Sequence, residues 1–421
     1  MKMGKRKPVV AILNGLMNPI PPVKGGGPQI VIYNTCLELS ADSFEWFVLS
    51  NWDPQLERID YPRGQFISVK TCFLDRLLAS LIKLLPHRIV KGVFGVVRKD
   101  HLTLNIKLIR SLLFHRFDMI LVHESYALTY LCHLVFPHKK IILYYHSCKM
   151  HLDLTEKRWV RLVKAANAGI ISICKKVFEL TDGAFTVNPH QKWVIINGVR
   201  SSGVVLGNPD EKDRLRQKLG VAMDEFVFLY VGRIFPMKGL DLLVDAFAEV
   251  IQRTDVPVKL IIVGSAETDE EGNIEYEKKL KENALKLAQD RIIFIGFIPN
   301  DQLSDYYLAS DCGVLPTYLL EGNSLFLMEC LTNGLPVIAT MKGGIPEVVR
   351  NGIDGILIDE DELSKDLSPT MLNVIKNREI WAGKKLEIAE SARERFSYQR
   401  VANDLGAVVE EVFSSRTPFR N

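Results

Sequence analysis

The sequence predicts an α/β protein built from two doubly wound parallel sheets. Three observations carry this. Its 421 residues are more than one domain usually holds, at roughly 100–200 residues each. Short runs rich in Val and Ile alternate with amphipathic segments, as strands buried on both faces alternate with crossover helices. The alternation stops in a polar stretch, residues 200–225, and then starts again, which divides the chain near residue 200.

Taken in order, the strand candidates of the first half are 8–13, 46–50, 119–123, 140–145, 183–187 and 194–197. Those of the second half are 226–231, 259–263, 292–296, 312–315, 336–339 and 355–358. Between them, residues 239–253 and 275–288 place apolar side chains at helical spacing and suit crossover helices. In open sheets of this kind ligands collect outside the carboxyl ends of the strands. Two such sheets facing each other would put a cleft between those ends, so chemistry is sought in strand-to-helix turns.

Composition narrows the function. Lys and Arg number 53 against 50 Asp and Glu, a net +3, with 47% apolar and 24% charged residues. These are globular values and exclude a disordered or coiled-coil chain. The near-neutral charge argues against a nucleic-acid binder, whose basic face shows in the total. The seven cysteines are scattered, mostly in apolar stretches, with no C-x-x-C pair, and read as buried reduced thiols of a cytoplasmic protein. The basic start, MKMGKRKPVVAILNGLMNP, is interrupted at Asn14 and Asn18 and reads as a first strand rather than a signal peptide. No run of about 18 uninterrupted apolar residues offers a membrane span.

The strongest stretch is PTYLLEGNSLFLMECLTNGLPVIATMKGGIPEVV. Glu321 begins the turn Glu321-Gly322-Asn323-Ser324, and a helix starts at Leu325. Glu321 and Glu329 are eight residues apart. A helix running through both would set them about 12 Å apart along its axis, too far for a dyad but right for two ends of a polyhydroxy ligand. The amides of Asn323, Ser324 and Leu325 would form an anion site at the positive end of the helix. The bland alternative makes both acids solvated surface charges, but Glu329 stands between Met328 and Cys330 in an apolar helix.

The second stretch is FVFLYVGRIFPMKGLDLLVDAF. Here a buried strand ends at Gly232, followed by Arg233 and, five residues later, Lys238. Two cations at the carboxyl end of a strand suit a diphosphate, Arg as a planar fork and Lys as a point charge. Alone they would be ordinary solvated charges; beside the glutamate turn they read as a site. The third stretch, NPIPPVKGGGPQIVIYN, follows strand one. Gly25, Gly26 and Gly27 allow close backbone approach and can turn amides toward a phosphate, although a plain turn explains them equally. The stretch is neither a dinucleotide fingerprint nor a P-loop.

His123 and His146 follow strand candidates. A histidine there can donate to a sugar hydroxyl or move a proton. His123 reads as structural and His146, with polar Ser147 and Lys149 after it, as functional. Asp359-Glu360-Asp361 spells D-x-D but opens a charged helix, and reads as a capping run. No His, Cys and Asp cluster has metal-ligand spacing, so no metal is expected. Residues 77–99 and 157–164, basic and apolar by turns, fit either an anionic membrane surface or packing helices with snorkelling cations.

Together these residues resemble the retaining glycosyltransferases of family four, the group 1 glycosyl transferases with the two-domain GT-B fold. The match runs almost continuously through the second half: Gly232-Arg233 with Lys238-Gly239, GFIPNDQL, the Glu-x7-Glu block, NGLPVIATMKGGIPEVV and NGIDGIL. The first half is looser, offering the glycine loop, the His after a central strand and VIINGV at the junction. The resemblance implies Rossmann-like domains at 1–199, binding the acceptor, and 200–395, binding a nucleotide sugar, with a helix over 396–421 crossing back to the first. It implies that Arg233 and Lys238 bind the diphosphate and stabilise it as it leaves. Glu329 would hold the ribose hydroxyls and Glu321 those of the transferred sugar. Phe297 and Ile298 would sit beside the base, and Gly25, Gly26 and Gly27 would close over the diphosphate. His146 would be the catalytic helper in front-face attack with retention. The donor would be a UDP-sugar, used as co-substrate with no further cofactor, and the acceptor a hydroxyl on a small metabolite, lipid or glycan. One departure stands out: relatives often carry an aromatic residue and Gly where this chain has Asn323-Ser324.

Two other classes compete. A GT-B epimerase or hydrolase would use the same cations with additional acid/base carboxylates. A non-catalytic sugar-nucleotide sensor would bind donor without turnover.

Overall fold

The computed structural model describes residues 6–24, 26–86, 99–146, 169–181, 191–200, 209–266 and 272–415. The chain divides into two compact units: residues 1–197 with 398–421, and residues 198–397. The division falls two residues before the expected one, and the final helix, Tyr398–Ser414, belongs to unit 1.

Unit 1 has a seven-stranded parallel sheet in the order β3-β2-β1-β4-β5-β6-β7. The strands are β1 Val9–Asn14, β2 Glu45–Asn51, β3 Phe66–Val69, β4 Met119–His123, β5 Lys140–Tyr145, β6 Gly169–Ser172 and β7 Lys192–Val194. Val, Ile and Leu fill β1, β4 and β5 because both faces are covered, and these strands are buried almost throughout. Two strands escaped the sequence reading. Phe66–Val69 is only four residues long, and Gly169–Ser172 follows a stretch with no turn signal. The strand expected at 194–197 lies instead at Lys192–Val194, and the candidate at 183–187 lies outside the described residues. The Tyr398–Ser414 helix puts Val401, Leu405 and Val409 into the core of this sheet. Lys140 holds its last turn, donating to the carbonyls of Val412 and Ser415 (2.5 and 2.7 Å), as a cation at a helix C-terminus should.

Unit 2 has a six-stranded parallel sheet, β10-β9-β8-β11-β12-β13. Its strands are β8 Phe226–Val231, β9 Val258–Val263, β10 Ile292–Gly296, β11 Cys312–Leu315, β12 Val337–Thr340 and β13 Gly355–Ile358. All six match the sequence expectation to within a residue. In both units the order reverses beside the first strand, between β1 and β4 and between β8 and β11. That switch point is where a doubly wound sheet opens a crevice at its carboxyl edge. The 359–361 acidic run opens the Glu360–Glu362 turn ahead of the Leu363–Lys376 helix, with Glu360 paired to Lys342. Of the described cysteines five are buried as expected, but Cys72 is exposed at the start of the Phe73–Lys83 helix. Among the described residues no helix is long and apolar enough to cross a membrane.

Candidate functional site

The candidate site of unit 2 is built by two loops, one leaving β8 and one leaving β11. The carbonyl of Met237 ties them together, accepting from the amides of Tyr318 and Leu319 (2.9 and 3.1 Å) and from Thr317 Oγ1 (3.1 Å). Gly239 permits the approach: it sits at φ 66°, and a Cβ there would lie 2.0 Å from the carbonyl oxygen of Pro316. Across this seam Lys238 Nζ donates to Glu321 Oε1, with both side chains mostly buried. From behind, the amide of Gly344 donates to the carbonyl of Glu321 (2.8 Å), and a Cβ on Gly343 would lie 2.1 Å from that same oxygen. Lys238, Pro316, Glu321 and the Gly-Gly-x-Pro-Glu turn are therefore one interlocked cluster.

Arg233 follows β8 and is exposed. Its guanidinium lies 5.4 Å from the ring centre of Phe235, and Lys238 Nζ lies 5.8 Å from the same centre. One aromatic ring thus lies near both cations that the sequence singled out. Tyr230, fully buried, donates to the carbonyl of Arg233 (2.9 Å) and fixes where that turn leaves the strand.

Glu329, on the helix that follows this loop, stands in a separate group. The helix runs Leu325–Thr332, so Glu321 precedes it in a loop and the spacing expected of a shared helix does not apply. Ser324 is its N-cap, its Oγ accepting from the Leu327 amide (3.4 Å). The first amides of the helix have no carbonyl partner within it by geometry, and the positive end of its dipole lies beside Glu321. Glu329, half-buried, accepts from Tyr307 Oη (2.5 Å) and from the Asn300 side chain. Burial nonetheless pushes its carboxyl up to about 7. Asn300 stands three residues beyond Phe297 on the loop after β10, and Phe297 is 69% exposed. The sequence reading missed Tyr307 and Asn300, whose role arises only from folding; no spacing signal marks them.

In unit 1 the switch point carries His123 and His146. Gly15 lets β1 and β4 leave the sheet in contact, its amide donating to the His123 carbonyl (3.1 Å). His123 Nδ1 lies 2.8 Å from His146 Nε2, and His146 Nδ1 lies 3.4 Å from Asn197 Oδ1. The amide oxygen can only accept, so His146 carries its proton on Nδ1 and accepts at Nε2 from His123. Both rings are buried, His146 being 7% exposed. Burial drives His123 well down and His146 to about 4, so both are neutral near pH 7. Each nitrogen of the His146 ring has a partner within unit 1. His123, read as structural, thus has a direct bond to its neighbour. Gly26 sits at φ 101° at the start of the Gly27–Glu38 helix, and a Cβ there would lie 2.3 Å from Gln29 Oε1. Gly25 lies outside the described residues.

Residues 211–395 match the family described as Glycosyl transferases group 1. The lipopolysaccharide 1,2-N-acetylglucosaminetransferase of Salmonella typhimurium is 34% identical over 196 residues, 45% of this chain and 50% of that protein. The D-inositol 3-phosphate glycosyltransferase of Acidothermus cellulolyticus is 30% identical over 202 residues, 47% of this chain and 43% of the relative. The chain thus spans about half the length of the curated relatives it matches. Among solved structures, Anabaena HepE in complex with UDP covers 96% of this chain and is itself covered completely, with a TM-score of 0.71 and 20% identity. Sucrose-phosphate synthase from Thermosynechococcus elongatus covers 97% of the chain and is likewise fully covered, with a TM-score of 0.73 and 20% identity. These likenesses show the fold: two Rossmann-like units of the GT-B class.

Proposed function

We propose that this chain, whose second unit is a group 1 glycosyl transferase domain, is a retaining, metal-independent transferase that moves a sugar from a UDP-sugar to an acceptor hydroxyl. The observation that carries the reading is the Lys238–Glu321 pair at the unit 2 switch point, with Arg233 over the same Phe235 ring. A cation and a carboxylate held in one place suit a ligand that is a diphosphate at one end and a polyol at the other. The diphosphate would take Lys238 and Arg233, and the sugar hydroxyls would donate to Glu321. The ribose hydroxyls would donate to Glu329, and the base would lie against Phe297 and Ile298. The amides at Asn323, Ser324 and Leu325 would meet developing negative charge at the helix N-terminus.

In the transfer step the bond from the anomeric carbon to the diphosphate oxygen breaks. The acceptor oxygen bonds to that carbon on the same face, and its proton passes to the departing diphosphate. Fixed cations supply the neutralising charge that a divalent metal supplies elsewhere, which is the ground for metal independence. From unit 1, the amides of Gly25, Gly26 and Gly27 are assigned to the diphosphate. His146 is assigned to a sugar hydroxyl, which would replace one of its present partners. HepE has been solved with UDP and with UDP-glucose, which supports the choice of uridine donor.

The test is a panel of nucleoside diphosphates and sugar nucleotides screened by thermal shift, followed by product analysis with and without a chelator. A UDP-selective rise in Tm, and a glycoside that keeps the donor's anomeric configuration in the presence of chelator, are expected. No shift with any nucleotide would end the proposal, and shift without turnover on any acceptor would favour the sensor.

A further inference from the structure

Two tyrosines of unit 2 are buried behind the residues assigned to the donor. Tyr230 of β8 and Tyr307 of the Ser304–Ala309 helix are 0% and 2% exposed. A buried hydroxyl needs a partner, and each of these finds one on the candidate site. Tyr230 Oη donates to the carbonyl of Arg233 (2.9 Å), and Tyr307 Oη donates to Oε2 of Glu329 (2.5 Å). Burial raises both phenols well above the ordinary tyrosine value, so both keep their protons and act as donors.

The ring of Phe326 packs against both, with centres 5.8 Å from Tyr230 and 6.4 Å from Tyr307. Phe326 is the second residue of the Leu325–Thr332 helix, whose first amides are assigned to the developing charge. Glycines leave room for these rings. A Cβ on Gly232 would lie 2.9 Å from Tyr230 Oη, and one on Gly313 of β11 would lie 3.3 Å from Phe326 Cζ. Ring pairs at such separations are favourable beyond their buried area, and close packing leaves them little freedom. One aromatic cluster thus touches the turn that carries Arg233, the start of the helix and the carboxylate farther along it.

Glu329 depends on its phenol for a second reason. Its carboxyl is buried, and among the described residues no cation forms an ion pair with it. The groups that bear on it are Tyr307, Asn300 from the loop after β10 and Cys330 from its own helix. Cys312 of β11 faces Cys330, and burial pushes both thiols up, so both stay neutral. Arg393, on the Lys385–Phe396 helix packed alongside, donates to the Thr332 carbonyl (3.1 Å). Tyr307 and Asn300 are therefore the groups that favour the ionised carboxylate.

We infer that Tyr230 and Tyr307 are positioning residues for the donor: joined through Phe326, their hydroxyls hold the Arg233 turn for the diphosphate and the Glu329 carboxylate for the ribose. The inference deepens the transferase reading and rests on its assignment of those two residues.

Calorimetry on the full chain tests it with UDP, uridine and inorganic pyrophosphate, the last two by displacement of UDP. Tyr307→Phe keeps the ring and removes the donor. At pH 7 it weakens UDP and uridine about tenfold and leaves pyrophosphate unchanged. The carboxyl, less stabilised as an anion, then titrates higher. The midpoint of the UDP affinity profile moves up in pH, and part of the loss returns by pH 8.5. In a Glu329→Gln background the same change weakens UDP no further. Tyr230→Phe does the complementary thing: UDP and pyrophosphate weaken about threefold or more, uridine does not, and the midpoint stays. Val374→Ala, which opens a cavity beside the Leu363–Lys376 helix, lowers Tm and leaves all three affinities as they were. Affinity losses shared by Val374→Ala would mean general loosening and overturn the inference. So would wild-type affinities in either tyrosine variant, equal losses of uridine and pyrophosphate, or an unmoved midpoint in Tyr307→Phe. A wild-type protein that binds none of the three probes would defeat the donor reading itself, and this inference with it.

Discussion

Lys238 and Glu321, 83 residues apart in the chain, form a mostly buried ion pair where the loops after β8 and β11 meet. Each group is thus a partner of the other, although the proposed reaction assigns them to opposite ends of the donor. Donor binding must exchange this pair for a diphosphate on one side and sugar hydroxyls on the other.

Glu321→Gln is therefore expected to separate binding from chemistry. It removes the charge that competes for Lys238, so UDP affinity measured by calorimetry holds or rises, while transfer falls by about 100-fold or more. Lys238→Met should lose both binding and transfer, and removes one half of a mostly buried ion pair at a cost of about 1–3 kcal/mol in stability. Equal loss of UDP affinity in the two variants would contradict this division of labour.

Burial pushes the Glu329 carboxyl up to about 7, and ribose hydroxyls donate more strongly to its ionised form than to its neutral one. UDP affinity should accordingly rise from pH 6 to pH 8 and then level, and Glu329→Gln should flatten the profile at the weaker value. Stability runs the other way. A carboxyl whose folded pKa lies above the unfolded 4.5 binds more protons when folded, so its contribution is lost as pH rises from 4.5 to about 7. Glu329→Gln should raise Tm at pH 8 and change it little at pH 4.5.

His123 and His146 have the opposite sign. Their folded pKa values lie below the unfolded 6.5, so the unfolded chain binds more protons, and stability falls as pH drops from 6.5 toward 4. For His146 alone the loss is about 3 kcal/mol. Denaturant titrations at pH 7 and pH 5 should show it, and His146→Gln should lessen the difference. A stability independent of pH over this window would mean the pair is not buried in solution.

Gly239→Ala and Gly343→Ala test the backbone seam. Each needs a left-handed φ, 66° and 61°, and each would push a methyl into a carbonyl oxygen at 2.0 or 2.1 Å. A loss of about 1–3 kcal/mol is expected in chemical denaturation, with transfer reduced because Glu321 moves with its carbonyl. Gly383, where a Cβ meets nothing within 4 Å, is the control and should tolerate Ala.

The sequence by itself determined the two parallel sheets, every strand of unit 2, the division near residue 200 and the charged loops after β8 and β11. Buried Val- and Ile-rich strands and glycines at obligatory positive φ leave local signatures that survive without three-dimensional information. It also named Arg233, Lys238, Glu321 and Glu329, because charges at strand ends have no packing reason to be there. Tertiary structure decided who meets whom. Lys238 and Glu321 are partners, Glu329 belongs with Tyr307 and Asn300, and His146 faces inward to His123 and Asn197. None of these is local: each joins segments brought together only by the order of strands in a sheet.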